Sequence, residues 1–143
     1  MRPIPMSAFA ALGLVACAQA QATTIAVIKD PDCGCCTEWV VHLRSAGFVV
    51  EVTDTRDQPA ISAKLGVPED LRGCHTATVE GYVIEGHVPA ADITRLLAEK
   101  PVGRGLAVPG MPMGSPGMEQ GGLKQPYVTV LFGDEAASVF ARH

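Results

Sequence analysis

Three cysteines fall within four residues, Cys33-Gly34-Cys35-Cys36, between a short β-branched run and an amphipathic helical one. Thr24 to Ile28 reads as a buried strand. Lys29-Asp30-Pro31-Asp32 is a turn cluster, in which Asp30 and Asp32 are expected to cap the turn that follows. Beyond the cysteines the pattern is helical to Ala46. At about 100° per residue, Cys36, Trp39, Val40, Leu43 and Ala46 share one face. Glu38, His42 and Ser45 fall on the other, which predicts a solvent-exposed His42. Gly47 is a helix stop, and Phe48 to Val52 a second strand. The result is a βαβ unit with cysteines where its first strand meets its helix.

The rest of the chain extends this α/β reading. Pro59 to Leu65 predicts a short helix, ended by Gly66. Thr76–Val79 and Tyr82–Glu85 predict a hairpin turning at Glu80-Gly81. Pro89 opens a helix to about Lys100, with Ile93, Leu96 and Leu97 on its apolar face. From Pro101 to Gln125, Gly, Pro and Met dominate and no regular element is expected; so long a loop points to function or disorder. Tyr127–Phe132 and Ala137–Arg142 predict a closing hairpin. The expected fold is a thioredoxin-like βαβ plus hairpin and helix, with a Gly/Pro/Met-rich loop and a C-terminal hairpin.

Residues 1–22 read as an export signal and 23–143 as a single domain. Arg2 supplies the positive end, Ala8–Ala16 the apolar stretch, and Ala18-Gln19-Ala20 the small residues of a cleavage site. The run falls short of the roughly 20 apolar residues of a membrane span. Leu14-Val15-Ala16-Cys17 offers a second reading, a lipobox that would lipidate Cys17 and give the chain its one attachment to a membrane. Both readings place the mature chain outside the cytoplasm and leave four of the five cysteines with free side chains. A formal net charge of −4, with no block of Lys or Arg, excludes a nucleic-acid partner.

Cys33 and Cys36 form a C-x-x-C pair at a helix N-terminus. The helix dipole and the first-turn N–H groups stabilise a thiolate there, making it a better metal ligand and a better leaving group. After a strand in a βαβ unit, this spacing is also the signature of a thioredoxin-like redox pair, with Cys33 as nucleophile and Cys36 as resolving thiol. Two features favour a metal. Cys35 adds a third thiol to the turn, which a dithiol enzyme does not need. Cys74 stands where a thioredoxin-like sheet usually carries a cis-proline facing the C-x-x-C turn, and from there it points a fourth sulfur at the other three.

Four such sulfurs can make two disulfides, a zinc site, an iron–sulfur site or a copper(I) site. Zinc prefers a closed tetrahedron built from two knuckles, and Cys74 has no second cysteine beside it. Iron–sulfur clusters fit poorly with export of an unfolded chain. Copper(I) favours soft sulfur donors and tolerates several ions bridged by shared thiolates. Met111, Met113 and Met118, in one Gly/Pro loop, are candidate auxiliary thioether ligands, although methionines also fill gaps under long loops. His75 is a candidate ligand or supporting donor. His87 is expected to serve as a cap or loop residue, and His143 carries no signal. A structural domain stapled by disulfides stays open as the alternative without metal.

Four blocks carry a resemblance. They are Lys29-Asp30-Pro31-Asp32-Cys33-Gly34-Cys35-Cys36, Gly73-Cys74-His75-Thr76-Ala77, Gly81-Tyr82-Val83-Ile84-Glu85-Gly86-His87-Val88-Pro89 and Gly105-Leu106-Ala107-Val108-Pro109-Gly110-Met111-Pro112. Together they resemble the domain of unknown function 411 family, which includes the CopG-type copper-resistance proteins of bacteria. The resemblance implies a thioredoxin-like fold, a periplasmic home and a part in copper handling, with metal ions and other exported copper-handling proteins as partners. It places the family's cysteines on Cys33, Cys35, Cys36 and Cys74 and implies that several copper ions can share their sulfurs. Storage, transfer and a change of copper oxidation state all remain open.

Overall fold

The computed structural model describes residues 22–143. The export-signal reading of residues 1–22, Cys17 included, lies outside the described residues but for Ala22. Among the described residues no helix is long and apolar enough to cross a membrane.

Strand β1 (Thr24–Lys29) leads through α1 (Gly34–Ser45) into β2 (Val49–Asp54). Parallel strands need such a crossover, and β1 pairs β2 in parallel from Thr24↔Val49 to Lys29↔Asp54. Helix α2 (Gln58–Lys64) and a single 3-10 turn (Glu69–Leu71) lead to β3 (His75–Val79), which turns tightly into β4 (Tyr82–Gly86). Helix α3 (Ala90–Glu99) crosses to β5 (Gly105–Val108), and β6 (Val128–Phe132) and β7 (Ser138–Arg142) close the sheet. The seven strands run in the order β2-β1-β3-β4-β5-β6-β7. The expected βαβ unit, central hairpin, helix and C-terminal hairpin are all present.

Strand β5 corrects one expectation. The stretch Pro101–Gln125 was expected to hold no regular element, yet Gly105–Val108 forms an inner strand parallel to β4 and antiparallel to β6. All four of its residues are buried. A strand covered on both faces shows no polar alternation, so a four-residue run lacks the usual signature. Gly105 is required by close approach, because a Cβ there would run into the Val83 carbonyl.

Alternation along the strands divides the core into two. Ile84 and Leu106 face the α1/α3 side with Ile25, Val27, Trp39, Leu43 and Ile93. Their neighbours Val83 and Ala107 face the other side with Val67, Leu71 and Phe132. On α1, Cys36, Trp39, Val40 and Leu43 are buried as their spacing predicts. Ala46 leaves that face and is exposed, because it is the C-cap, already outside the helix. Trp39 is fully buried, and its indole N–H donates to the Val88 carbonyl at 2.9 Å. That bond ties the cysteine helix to the β4–α3 connection.

Candidate metal centre

The turn before α1 is built by Asp30. Its carboxylate accepts from the Asp32 N–H (2.8 Å) and its carbonyl from the Cys33 N–H (3.1 Å). Cys33 itself is the N-cap of α1, with its Sγ accepting from the Cys36 N–H at 3.3 Å. Asp32 caps nothing and pairs with Arg56 on the surface at 2.6 Å.

Cys74 immediately precedes β3. Since β3 lies antiparallel against β1, the segment entering it stands beside the turn that leaves β1. Cys74 Sγ therefore lies 3.2 Å from Cys36 Sγ and 3.9 Å from Cys35 Sγ, and Cys35 Sγ lies 3.5 Å from Cys33 Sγ. All four sulfurs are within 4.8 Å of one another. Two of them are bonded: Cys33 and Cys36 form a disulfide, while Cys35 and Cys74 are free. The sequence left a Cys33–Cys36 redox pair open beside a site of four thiolates, and the C-x-x-C spacing suits this bond across one helical turn.

The free thiol of Cys74 is held protonated. Burial is the main cause, the nearby Cys35 thiol adds to it, and together they push its pKa up to about 12.

Two imidazoles complete the surroundings of Cys74. His75 is fully buried beneath it, with its ring 4.4 Å from that of Trp39, centre to centre. Its Nε2 lies 2.9 Å from the Gly86 carbonyl and its Nδ1 3.6 Å from Cys74 Sγ. Burial, reinforced by His87, pushes its pKa down to about 3. The ring is thus neutral, with its proton on Nε2 facing a carbonyl and a bare Nδ1 facing the thiol. His87 is the mirror case. Its Nδ1 donates to the Pro116 carbonyl at 2.8 Å, leaving Nε2 4.0 Å from Cys74 Sγ. Burial also lowers its pKa. Cys74, His75 and His87 thus form a second, overlapping group that could hold a metal ion.

His87 was expected to be a cap or loop residue. It does lie in the β4–α3 connection and holds the Pro116 loop, but it is also aimed at the centre, because the strand end that positions it lies next to Cys74 across the β3–β4 hairpin. His42 also departs from expectation: it is half-buried, and its Nε2 accepts the Ala90 N–H at 3.0 Å. The loop brings one of its three methionines to the cluster, with Met111 Sδ 3.9 Å from Cys74 Sγ and the residue half exposed. Met113 and Met118 are fixed in the loop by their backbones: the Met113 N–H donates to Gln125 Oε1, and the Met118 carbonyl accepts from the Gly114 N–H.

The loop is pressed onto the cysteine helix at Gly117. That residue has φ +85°, and a Cβ on it would stand 2.7 Å from the Cys35 carbonyl oxygen and 2.8 Å from the Trp39 nitrogen. Sequence reading finds the sulfurs but gives no sign of this close approach.

The donor set fits a soft metal. Closely spaced sulfurs suit bridging between ions, the bare imidazole nitrogens add borderline donors, and a thioether stands at the exposed side. All four cysteines can ligate only once the disulfide is reduced, which takes two electrons and two protons.

A family model described as "Protein of unknown function, DUF411" matches residues 71–118. Two solved structures, both of a copper resistance protein copG, also match. Form 2 is 42% identical over 86% of this chain and 99% of its own, with a TM-score of 0.81. Form 1 is 44% identical over 86% of this chain and 98% of its own, also at 0.81. The chain belongs to the DUF411/CopG family. The family model covers Cys74, His75, His87 and all three loop methionines, while the Cys33–Cys36 turn lies before its start. No curated protein sequence matches the chain.

Proposed function

We propose that this chain is a periplasmic copper(I)-binding protein of copper homeostasis and resistance, holding its metal through Cys33, Cys35, Cys36 and Cys74. The observation that carries this reading is the position of Cys74 Sγ, 3.2 Å and 3.9 Å from the sulfurs of Cys36 and Cys35. The 42–44% identity to copper resistance proteins over nearly their whole length supports copper as the metal. Thiolate softness supports the +1 state, and the crowding of the sulfurs supports several ions sharing them. His75 and Met111 act as auxiliary donors; Met113 and Met118 belong to the loop that covers the centre. The thioredoxin-like reading of the fold is supported by the order β2-β1-β3-β4 and by α1 starting at the C-x-x-C turn. The periplasmic location rests on the export signal in residues 1–22, with Cys17 as the alternative lipid anchor.

Anaerobic copper(I) titration of the protein after reduction of its Cys33–Cys36 disulfide, against a competing chelator, tests this reading, with each Cys→Ser variant alongside the parent. Losing Cys35 or Cys74 is expected to lower both stoichiometry and affinity. Unchanged binding after loss of both would overturn the proposal.

The Cys33–Cys36 disulfide favours a second reading, a thiol–disulfide oxidoreductase using that pair. Insulin reduction separates the two. Turnover that needs Cys33 and Cys36 but ignores Cys35 and Cys74 would select the enzyme.

A further inference from the structure

Glu85 is fully buried in β4 and, among the described residues, forms no ion pair. A buried carboxyl group without a cation is costly unless hydrogen bonds satisfy it. Both of its oxygens are satisfied by the segment that carries Cys74. Oε1 accepts from the Gly73 N–H at 2.7 Å and Oε2 from the Thr76 hydroxyl at 2.7 Å. Gln58 of α2 donates its Nε2–H to Thr76 Oγ1 at 2.9 Å. With one of its two lone pairs engaged by Gln58, that hydroxyl directs its hydrogen at Glu85.

The β3–β4 ladder begins at Thr76↔Glu85, so Gly73 lies beyond it and has no strand partner there. The Glu85 side chain supplies the missing acceptor. One carboxyl group thus grips the chain on both sides of Cys74-His75, one residue before and one after. The His75 bond to the Gly86 carbonyl adds a third tie to the same strand end.

We propose that Glu85 is the positioning residue of the centre: its buried carboxyl clamps Gly73 and Thr76 so that the Cys74 sulfur is held against Cys35 and Cys36. Glu85 makes no hydrogen bond to a cysteine sulfur and acts on the centre through Gly73 and Thr76. Its relevance to copper rests on the metal-binding function proposed above, but its effect on Cys74 placement does not.

The test therefore uses one readout with copper and one without. In the first, Cys35 and Cys74 of the purified metal-free protein are oxidised with diamide, which takes up the two thiol protons and two electrons as the sulfur–sulfur bond forms. The rate is followed by mass spectrometry. Glu85→Leu is expected to slow this step by about tenfold or more, because the two sulfurs lose their fixed approach. Glu85→Gln keeps the acceptor for the Gly73 N–H and donates to the second lone pair of Thr76 Oγ1, leaving only the Thr76 hydroxyl hydrogen without its partner, and is expected to restore most of the rate. In the second, copper(I) bound by Glu85→Leu is expected to fall to that of Cys74→Ser, with no further loss when the two are combined.

Wild-type oxidation in a folded Glu85→Leu protein overturns the proposal whatever copper does. Should the wild-type protein bind no copper, the metal reading fails and the oxidation rates still judge Glu85. If Glu85→Leu does not fold by circular dichroism, the near-isosteric Thr76→Val decides: slower oxidation supports the clamp, and an unchanged rate overturns it.

Discussion

Cys74 Sγ stands 3.2 Å from Cys36 Sγ although 38 residues separate them along the chain. The antiparallel pairing of β1 with β3 produces this meeting, since it sets the entrance of one strand beside the exit of the other. Replacing Cys74 with serine removes the only sulfur of the four that comes from outside the α1 turn. We expect copper(I) affinity to fall by at least about a hundredfold, measured by chelator competition, because a lost ligand costs no less than a lost supporting group. The Cys74 thiol carries a proton at neutral pH, with its pKa at about 12. Copper uptake by the wild-type protein should therefore release protons into a weakly buffered solution, and Cys74→Ser should release fewer.

Trp39 is the only tryptophan in the sequence, and its ring lies 4.4 Å from that of His75. Its fluorescence should report directly on the centre. Stepwise copper addition is expected to quench it in proportion to occupancy, and an emission unchanged at saturation would place the metal elsewhere. Trp39→Phe leaves the buried Val88 carbonyl without its donor and is expected to cost about 1–3 kcal/mol, read from the urea midpoint.

Acid should weaken the metal-free fold through its histidines. Burial lowers the pKa of His75 to about 3 and depresses that of His42, both from an ordinary 6.5. Between those values the unfolded chain binds protons that the folded chain refuses. The stabilisation is complete above pH 6.5 and is lost progressively as the pH falls below it. Urea midpoints should be flat from pH 7 to 8 and should drop from 6.5 downward. His42→Gln is expected to reduce that slope, since Gln requires no protonation to unfold.

Gly117 should tolerate no side chain. At φ +85°, with the Cys35 carbonyl and the Trp39 nitrogen under 3 Å from where a methyl carbon would sit, alanine must lift the loop from α1. The expected cost is about 1–3 kcal/mol. The His87–Pro116 bond should break with it, and limited proteolysis should cut the 109–125 segment sooner than in the wild-type protein.

Much of this was legible in the chain. The C-x-C-C turn fell where a strand hands over to a helix, and the helical spacing placed Cys36, Trp39, Val40 and Leu43 inward. Cys74 could be paired with that turn because the expected strand order brings its loop there. Other features were not legible, for identifiable reasons. Strand β5 is short and buried on both faces, so Leu106 and Val108 could not be told from loop residues. His87 and Glu85 act through contacts across the hairpin, which depend on register and on how the chain enters β3, and neither is encoded in local spacing. His42 looked solvated because the N-terminus of α3, which uses its ring nitrogen, lies far away in sequence. The state of the thiols was not legible either, since the spacing of Cys33 and Cys36 serves a disulfide as well as a shared ligand set.

The loop that covers the centre leaves the sheet at the end of β5 and returns to it at β6, two strands that lie side by side. Its two anchors are therefore fixed independently of what lies between them. Because closing a longer excursion costs only slowly more, residues can be inserted between Glu119 and Lys124, beyond the Gly117 contact and the His87–Pro116 bond, while the sheet and the four cysteines keep their places. Only the outer stretch of the roof is in this sense a replaceable part, and changing its length offers a way to retune access to the sulfurs without rebuilding the floor.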